Sequence, residues 1–488
     1  MKRYFYIASA AALLVAGCAK EAEPETPFAV QAEEVILDIT VEDCLVDGSE
    51  YATPDTKTVV KNTKEIWWES GDAVSIYPSN STTPDKFTSK LASGKTAKTS
   101  QFSGTFSKSA SSYIVFYPYT NIETASGALK TALPAVQTAR AGSFDKNLMF
   151  ALGSFAASKP GFTLKPMMGG LKFRLSRTDI KTVTVFANDG SYLAGDVKFY
   201  GLASSSPGIS QFSTSSRTIS LSPSSGAFQS GVDYFIVMIP GTLEKGITIQ
   251  LTTTAGKVLE AKSTKSISVK KGVFGSFAKP LNEYVSTATP TAVDLGLSVK
   301  WASFNVGATT PEGSGFFYAW GETVTKPYYN DWKSYKWCEG TKNTLTKYNT
   351  NSSYGKVDNK TKFSDYSYAD DPARYVFGGK WRVPTNDEWN ELINNCTWTW
   401  TTVNGVSGCK VTSKKSGYTS KYIFIPAAGY FTYNSVKNEN TDSAYMLEVI
   451  SSTPYLTMSF SVNQEYLGHF SGNNDRTMGR TVRAVQSK

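Results

Sequence analysis

Residues 378–392 read GGKWRVPTNDEWNEL, two tryptophans, an arginine and three acidic side chains in fifteen positions. As chemistry, this would be a carboxylate cluster of the kind general acid–base catalysis uses. As structure, it is the start of a helix. Thr385 stands at an N-cap with Glu388 three residues on, the pattern of a capping box, and Trp389, Leu392 and Ile393 follow at helical spacing. Asp387 and Glu388 fall in the first turn, where the helix dipole stabilises negative charge by roughly 0.3 to 1 kcal/mol. The helix start accounts for the whole cluster, so no catalytic residue is assigned to it.

The rest of the chain offers little else to an enzyme. One histidine, His469, occurs in 488 residues, which rules out a His-rich zinc site or an HExxH helix. A Ser-His-Asp triad would have to use His469, and its neighbours Gly468, Gly472 and Asn473 place it in an exposed loop. Forty-one acidic residues leave room for a distant carboxylate pair about 5 Å apart, so a hydrolase stays as the third reading. No cofactor and no metal is implied. Asn473, Asn474 and Asp475 could offer oxygens to a hard cation, but they read first as a polar turn.

Working outward, the first residues, MKRYFYIASAAALLVAGC, combine a basic start, an apolar run and small residues before Cys18, which is a secretory leader. Val15-Ala16-Gly17-Cys18 resembles the bacterial lipobox, implying lipidation of Cys18, removal of residues 1–17 and a lipidated tether over 18–33. Several acyl chains at about 0.8 kcal/mol per buried CH₂ would anchor it. Lys20, Glu21, Glu23 and Glu25 resemble the acidic export tag of Bacteroidetes surface lipoproteins, so the expected place is the outer membrane, facing outward. The formal charge of +9 is spread over scattered lysines without the basic-aromatic grooves of a nucleic-acid binder; no nucleic-acid partner is expected. Cys338, Cys396 and Cys409 form no CxxC, and a disulfide among them is permitted but not required. If Asn404-Gly405 makes a two-residue hairpin turn, Cys409 faces Trp400 and not Cys396.

From EEVILDITVED onward, short alternating runs broken by Gly, Asn, Ser and Pro mark β-strands. The expected fold is mostly β: antiparallel sandwiches over 34–178 and 179–284, a linker at 285–291, and a third unit over 292–488. IWWESGDAVSIY (66–77), YIVFYPY (113–119), LPAVQTARAGSFDKNLMFALG (133–153) and FTLKPMMGGLKFRL (162–175) resemble the fimbrillin-like (Mfa-like) lipoproteins of Bacteroidetes. That resemblance implies two β domains that form, cap or anchor pili, with other fimbrillin-like subunits joined by donor-strand exchange. No arginine lies between Cys18 and Arg140, only lysines such as Lys57, Lys61 and Lys64, a departure that counts against cleavage by an arginine-directed protease.

AVDLGLSVKWASFNVGA (292–308), YAWGE (318–322), GGKWRVPTNDEW (378–389), YIFIPAAGY (422–430) and GRTVRAV (479–485) resemble the Fibrobacter succinogenes major paralogous domain, which is C-type lectin-like, implying an α+β fold over 292–488. The resemblance makes Trp301, Trp381, Arg382, Thr385, Glu388 and Trp389 structural. It also places ligand contacts near the C-terminus, although the tryptophan-serine-serine step of that family is missing before Ala444-Tyr445. Tyr455, Tyr466 and His469, with Asn473, Asn474 and Asp475 as hydrogen-bonding neighbours, form the expected ligand face. The reading is a non-enzymatic surface lipoprotein adhesin, a pilus tip or accessory subunit whose third unit meets a glycan or a host or bacterial surface protein. The alternative is a stand-alone glycan-binding lipoprotein of a polysaccharide-uptake system.

Overall fold

The computed structural model describes residues 34–47, 62–122, 124–125, 127–211, 215–285 and 288–488. The leader, Cys18 and the tether lie outside the described residues. The chain is mostly β, arranged in many sheets, with two short α-helices among the described residues, both in the last third of the chain.

Seven strands close into a barrel, in the order Val35–Val41, Phe162–Pro166, Ala151–Ala156, Ser112–Tyr117, Ala73–Pro78, Asp85–Ser89 and Thr99–Gly104. The first strand completes it, antiparallel to Thr99–Gly104 on one side and parallel to Phe162–Pro166 on the other. Leu37, Ile39 and Val41 alternate into the interior, as a period of two requires. Trp68 fills one end, its indole N–H donating to the Ile39 carbonyl at 2.7 Å and its ring edge-on to Phe102 and Tyr117. An open sandwich was expected for this stretch; closure is the finer result, and it leaves the sheet no free edge.

The second body has a five-stranded sheet in the order Tyr234–Met238, Gly169–Phe173, Val273–Ser276, Cys44–Asp47 and Asn62–Lys64. A second five-stranded sheet runs Val136–Thr138, Thr218–Ser222, Ile180–Ala187, Ile247–Thr253 and Val258–Ser263. Residues 44–47, 62–64 and 136–138 therefore lie in sheets with strands from beyond 178, which corrects the boundary drawn there. Four pairings are parallel, among them Leu45↔Val273 and Gly170↔Phe274, against an expectation of antiparallel pairing throughout. Strands distant in sequence can lie parallel without a crossover helix, because closing a longer loop adds little entropy cost. Tyr77, Phe116 and Leu152 of the barrel strands turn outward into the core of this second body, so one wall serves two cores.

In the third unit the two ends of the chain segment meet: Val299–Ala302 pairs with Ala292–Asp294 on one side and with Val485–Ser487 on the other. Cys396–Val403, Val406–Ser413 and Tyr422–Pro426 form a meander, and Leu456–Ser461 pairs with His469–Asp475. Helices α1 (Pro372–Phe377) and α2 (Asn386–Asn395) pack with these strands. Asn404 and Gly405 both have positive φ, 48° and 80°, the geometry of a tight hairpin turn. Trp400 consequently pairs with Cys409, and Cys396 with Ser413. Cys338, Cys396 and Cys409 are free thiols, with no disulfide among them.

Candidate ligand-binding face of the third unit

The opening stretch is a capped helix. Thr385 Oγ1 accepts from the Glu388 N–H at 3.2 Å while Glu388 Oε2 accepts from the Thr385 N–H at 2.8 Å. Arg382 donates to both carboxylate oxygens of Glu388 in the forked geometry that suits a guanidinium. Trp389 is buried, stacked on Phe460 at 3.9 Å and edge-on to Trp301 at 4.6 Å. Trp381, also buried, meets Phe377 at 6.0 Å. Because Phe460 lies in Leu456–Ser461, α2 seats the hairpin that carries the expected ligand residues.

Those residues do not form one face. Tyr466, 55% exposed, and His469 sit at the turn end, rings 5.3 Å apart, with His469 paired to Ser461. Tyr455 lies at the other end, its carbonyl accepting from the Arg476 N–H, next to the Leu456↔Asp475 pair. Six residue steps along a strand are about 20 Å, so the expected cluster splits in two. His469 is a half-buried strand residue, not an exposed loop residue. The turn ends at Gly468, where any Cβ would come within 3.1 to 3.2 Å of Phe460 and Trp398. Asn474 and Asp475 are consecutive in the extended strand His469–Asp475 and point to opposite faces, so the Asn473-Asn474-Asp475 triplet does not converge on a cation.

Around Tyr455 the fold assembles something the sequence reading passed over. The Tyr455 ring lies 5.0 Å from Tyr354 and 6.4 Å from Trp332, and Lys342 Nζ stands 4.8 Å from its centre. Trp332 packs in turn on Tyr335 at 5.6 Å. Nearby, Lys336 and Lys347 both approach the Trp337 ring, at 4.3 and 4.4 Å. Lys347 is also ion-paired to Asp370. Apart from Tyr455, these aromatics and lysines come from one loop, residues 331–362, DWKSYKWCEGTKNTLTKYNTNSSYGKVDNKTK, with seven lysines and three acidic residues. Its interleaving of basic and aromatic residues was the available signal, and it corrects the view of the lysines as merely scattered.

A buried arginine fastens this loop. Arg476 donates to the carbonyls of Lys347 at 2.9 Å, Tyr348 at 3.0 Å and Pro454 at 3.1 Å, tying the loop to the segment that presents Tyr455. Arg480 and Arg483 are fully buried as well and donate only to neutral oxygens, such as Ser459 Oγ, Asn305 Oδ1 and the Phe424 carbonyl. Burial lowers both guanidiniums to about 10, so they stay charged at neutral pH. Under α1, burial pushes the Asp371 carboxyl up to about 7, against the pull of three backbone N–H donors, from Val383, Arg374 and Ala373. Burial likewise raises the Cys409 thiol to about 12, which makes it an inert core group.

The second body and the third unit share polar contacts. Glu260 accepts from the Thr325 N–H at 3.1 Å, and Gln250 donates to the Thr325 carbonyl at 2.7 Å and to Glu260 at 2.8 Å. Beside them lies a cleft of about 860 Å³ lined by Asn188, Lys245, Phe317, Phe431 and Glu439 among others.

No protein-family model matches the chain and no curated protein matches it. Among solved structures, the chain is similar to a Bacteroides thetaiotaomicron protein described as a putative cell adhesion protein. That match has 12% identity and a TM-score of 0.25, and it covers 50% of this chain and 93% of the other.

Proposed function

We propose that the chain is a surface-anchored, non-enzymatic adhesin in which the β-rich part up to residue 284 is a fimbrillin-like base and residues 292–488 are a lectin-like binding unit. The observation that carries this reading is the series arrangement. A unit with its own cores and its own paired ends follows the base, and it bears a half-exposed aromatic and lysine face. Glu388, whose carboxylate is engaged by a helix cap and an arginine, supports the non-enzymatic reading. The lipobox-like leader supports anchoring at the outer membrane.

A place at a pilus tip, or as an accessory subunit, is part of the proposal. The strand Val35–Val41 is the piece whose loss would open the barrel, exposing Thr99–Gly104 and Phe162–Pro166 as a groove for a donor strand. The test is in the native cell: tag the protein, then compare gently heated and boiled surface extracts on a denaturing gel. A heat-sensitive high-mass species containing other fimbrillin-like chains is expected. A single monomer band under both conditions would favour the stand-alone glycan-binding lipoprotein. Cells lacking 292–488 should lose adhesion, and unchanged adhesion would refute the adhesin reading.

A further inference from the structure

We propose that the loop 331–362, together with Tyr455, binds an acidic polysaccharide. This rests on the adhesin reading only in treating the third unit as the binding part, and it names a ligand class and a place.

The loop carries seven lysines against three acidic residues. Of the lysines, Lys333, Lys336, Lys342, Lys356 and Lys362 are exposed, and among the described residues none of these five has a carboxylate partner. Two of the three acids are spent internally, and the third, Glu339, is exposed. Asp358 accepts from the N–H groups of Tyr348 and Asn349 and from the Tyr366 hydroxyl, and Asp331 accepts from the N–H groups of Lys333 and Ser334. The surface therefore presents uncompensated ammonium groups, and two of them are held in place. Lys342 lies against the ring of Tyr455 and Lys336 against that of Trp337, contacts that are favourable at exposed sites. Holding a flexible side chain in advance lowers the entropy lost on binding.

A polyanion with hydroxyl groups suits the remaining surface. Thr341, Asn343, Asn351 and Ser352 are exposed between the lysines, and within the loop Val357 is the one large apolar side chain counted as exposed. A peptide-docking groove would need an apolar stripe that this surface lacks. The half-buried rings of Trp332, Tyr354 and Tyr455 supply edges against which a sugar can pack. Arg476 adds a buried guanidinium beneath the platform, hydrogen-bonded to three carbonyls and attracted by the Asp358 carboxylate. Uronate and sulfate groups share the chemistry these ammoniums would recognise.

The experiment uses the purified protein, made without its lipid by Cys18→Ser, on immobilised heparin, polygalacturonate and dextran at increasing salt. Salt-sensitive retention on one or both acidic polymers and none on dextran is expected, since exposed charge pairs are screened. Heparin alone would indicate sulfate recognition; retention on both would indicate carboxylate as well. Lys336→Glu with Lys342→Glu should weaken binding by about tenfold or more, and the matching Gln pair by less. Lys181→Glu with Lys265→Glu, the same charge change on the second body, should leave it within about twofold. Equal retention on dextran would overturn the proposal. So would equal loss in the control pair, or tighter binding to duplex DNA than to heparin. Failure here with adhesion still dependent on 292–488 refutes the ligand class alone. Success here with adhesion independent of that unit refutes the adhesin reading alone.

Discussion

At position 388 a carboxylate receives the Thr385 N–H and both arms of Arg382, so its charge is solvated by the fold. Thr385→Ala removes the reciprocal half of the cap and should cost about 1 kcal/mol in a urea unfolding curve. Trp389→Ala opens a void beside Phe460 and Trp301 and should cost about 3 to 5 kcal/mol in the same measurement. Asp371 makes a pH prediction. Its folded carboxyl titrates at about 7 because burial disfavours the charge, while an unfolded one titrates near 4. The stability it contributes is therefore fully present below about pH 4 and is lost as pH rises through about 7. Unfolding midpoints at pH 5 and pH 8 should differ in the native protein and differ less in Asp371→Asn.

Among the elements, the hairpin Cys396–Val403 and Val406–Ser413 tests how turn chemistry and strand approach divide the work. Gly405 turns the chain at φ 80° with open space around it, whereas a Cβ on Gly408 would meet the Ile425 carbonyl at 2.4 Å. Gly405→Ala should cost about 1 to 2 kcal/mol through backbone conformation alone. Gly408→Ala should cost more, because Tyr422–Pro426 must move away from its neighbour; thermal melts of the two variants would order them. The strand Val35–Val41 is an element of a different kind, since both its edges are paired. Its removal would leave two neighbours unpaired at once.

For the whole molecule, the Glu260, Gln250 and Thr325 contacts decide whether the base and the third unit behave as one body. Glu260→Ala strands the Thr325 N–H while Gln250 keeps the Thr325 carbonyl, a loss of about 1 to 3 kcal/mol for the buried donor left without a partner. Proteolysis at the linker 285–291 should become faster in that variant. An unchanged rate would mean that these contacts do not hold the two bodies together.

What the sequence by itself determined is local. The capping box at Thr385, the helical spacing of Trp389 and Leu392, the Asn404-Gly405 turn that sets Trp400 against Cys409, and the strand alternation of VILDITV each depend on neighbours a few residues away, where propensity and period decide. What only the tertiary structure decided is non-local. Closure of the first sheet into a barrel depends on residues 39–41 meeting 162–164, and the strand at 44–47 finds its partner at 273–275. Tyr455 gathers Trp332, Tyr354 and Lys342 from more than a hundred residues earlier, while Tyr466 and His469, close to it in sequence, end up at the far end of the hairpin. Side-chain pattern marks which residues turn inward; which surfaces then meet is set by the packing of whole sheets, a property no short stretch carries.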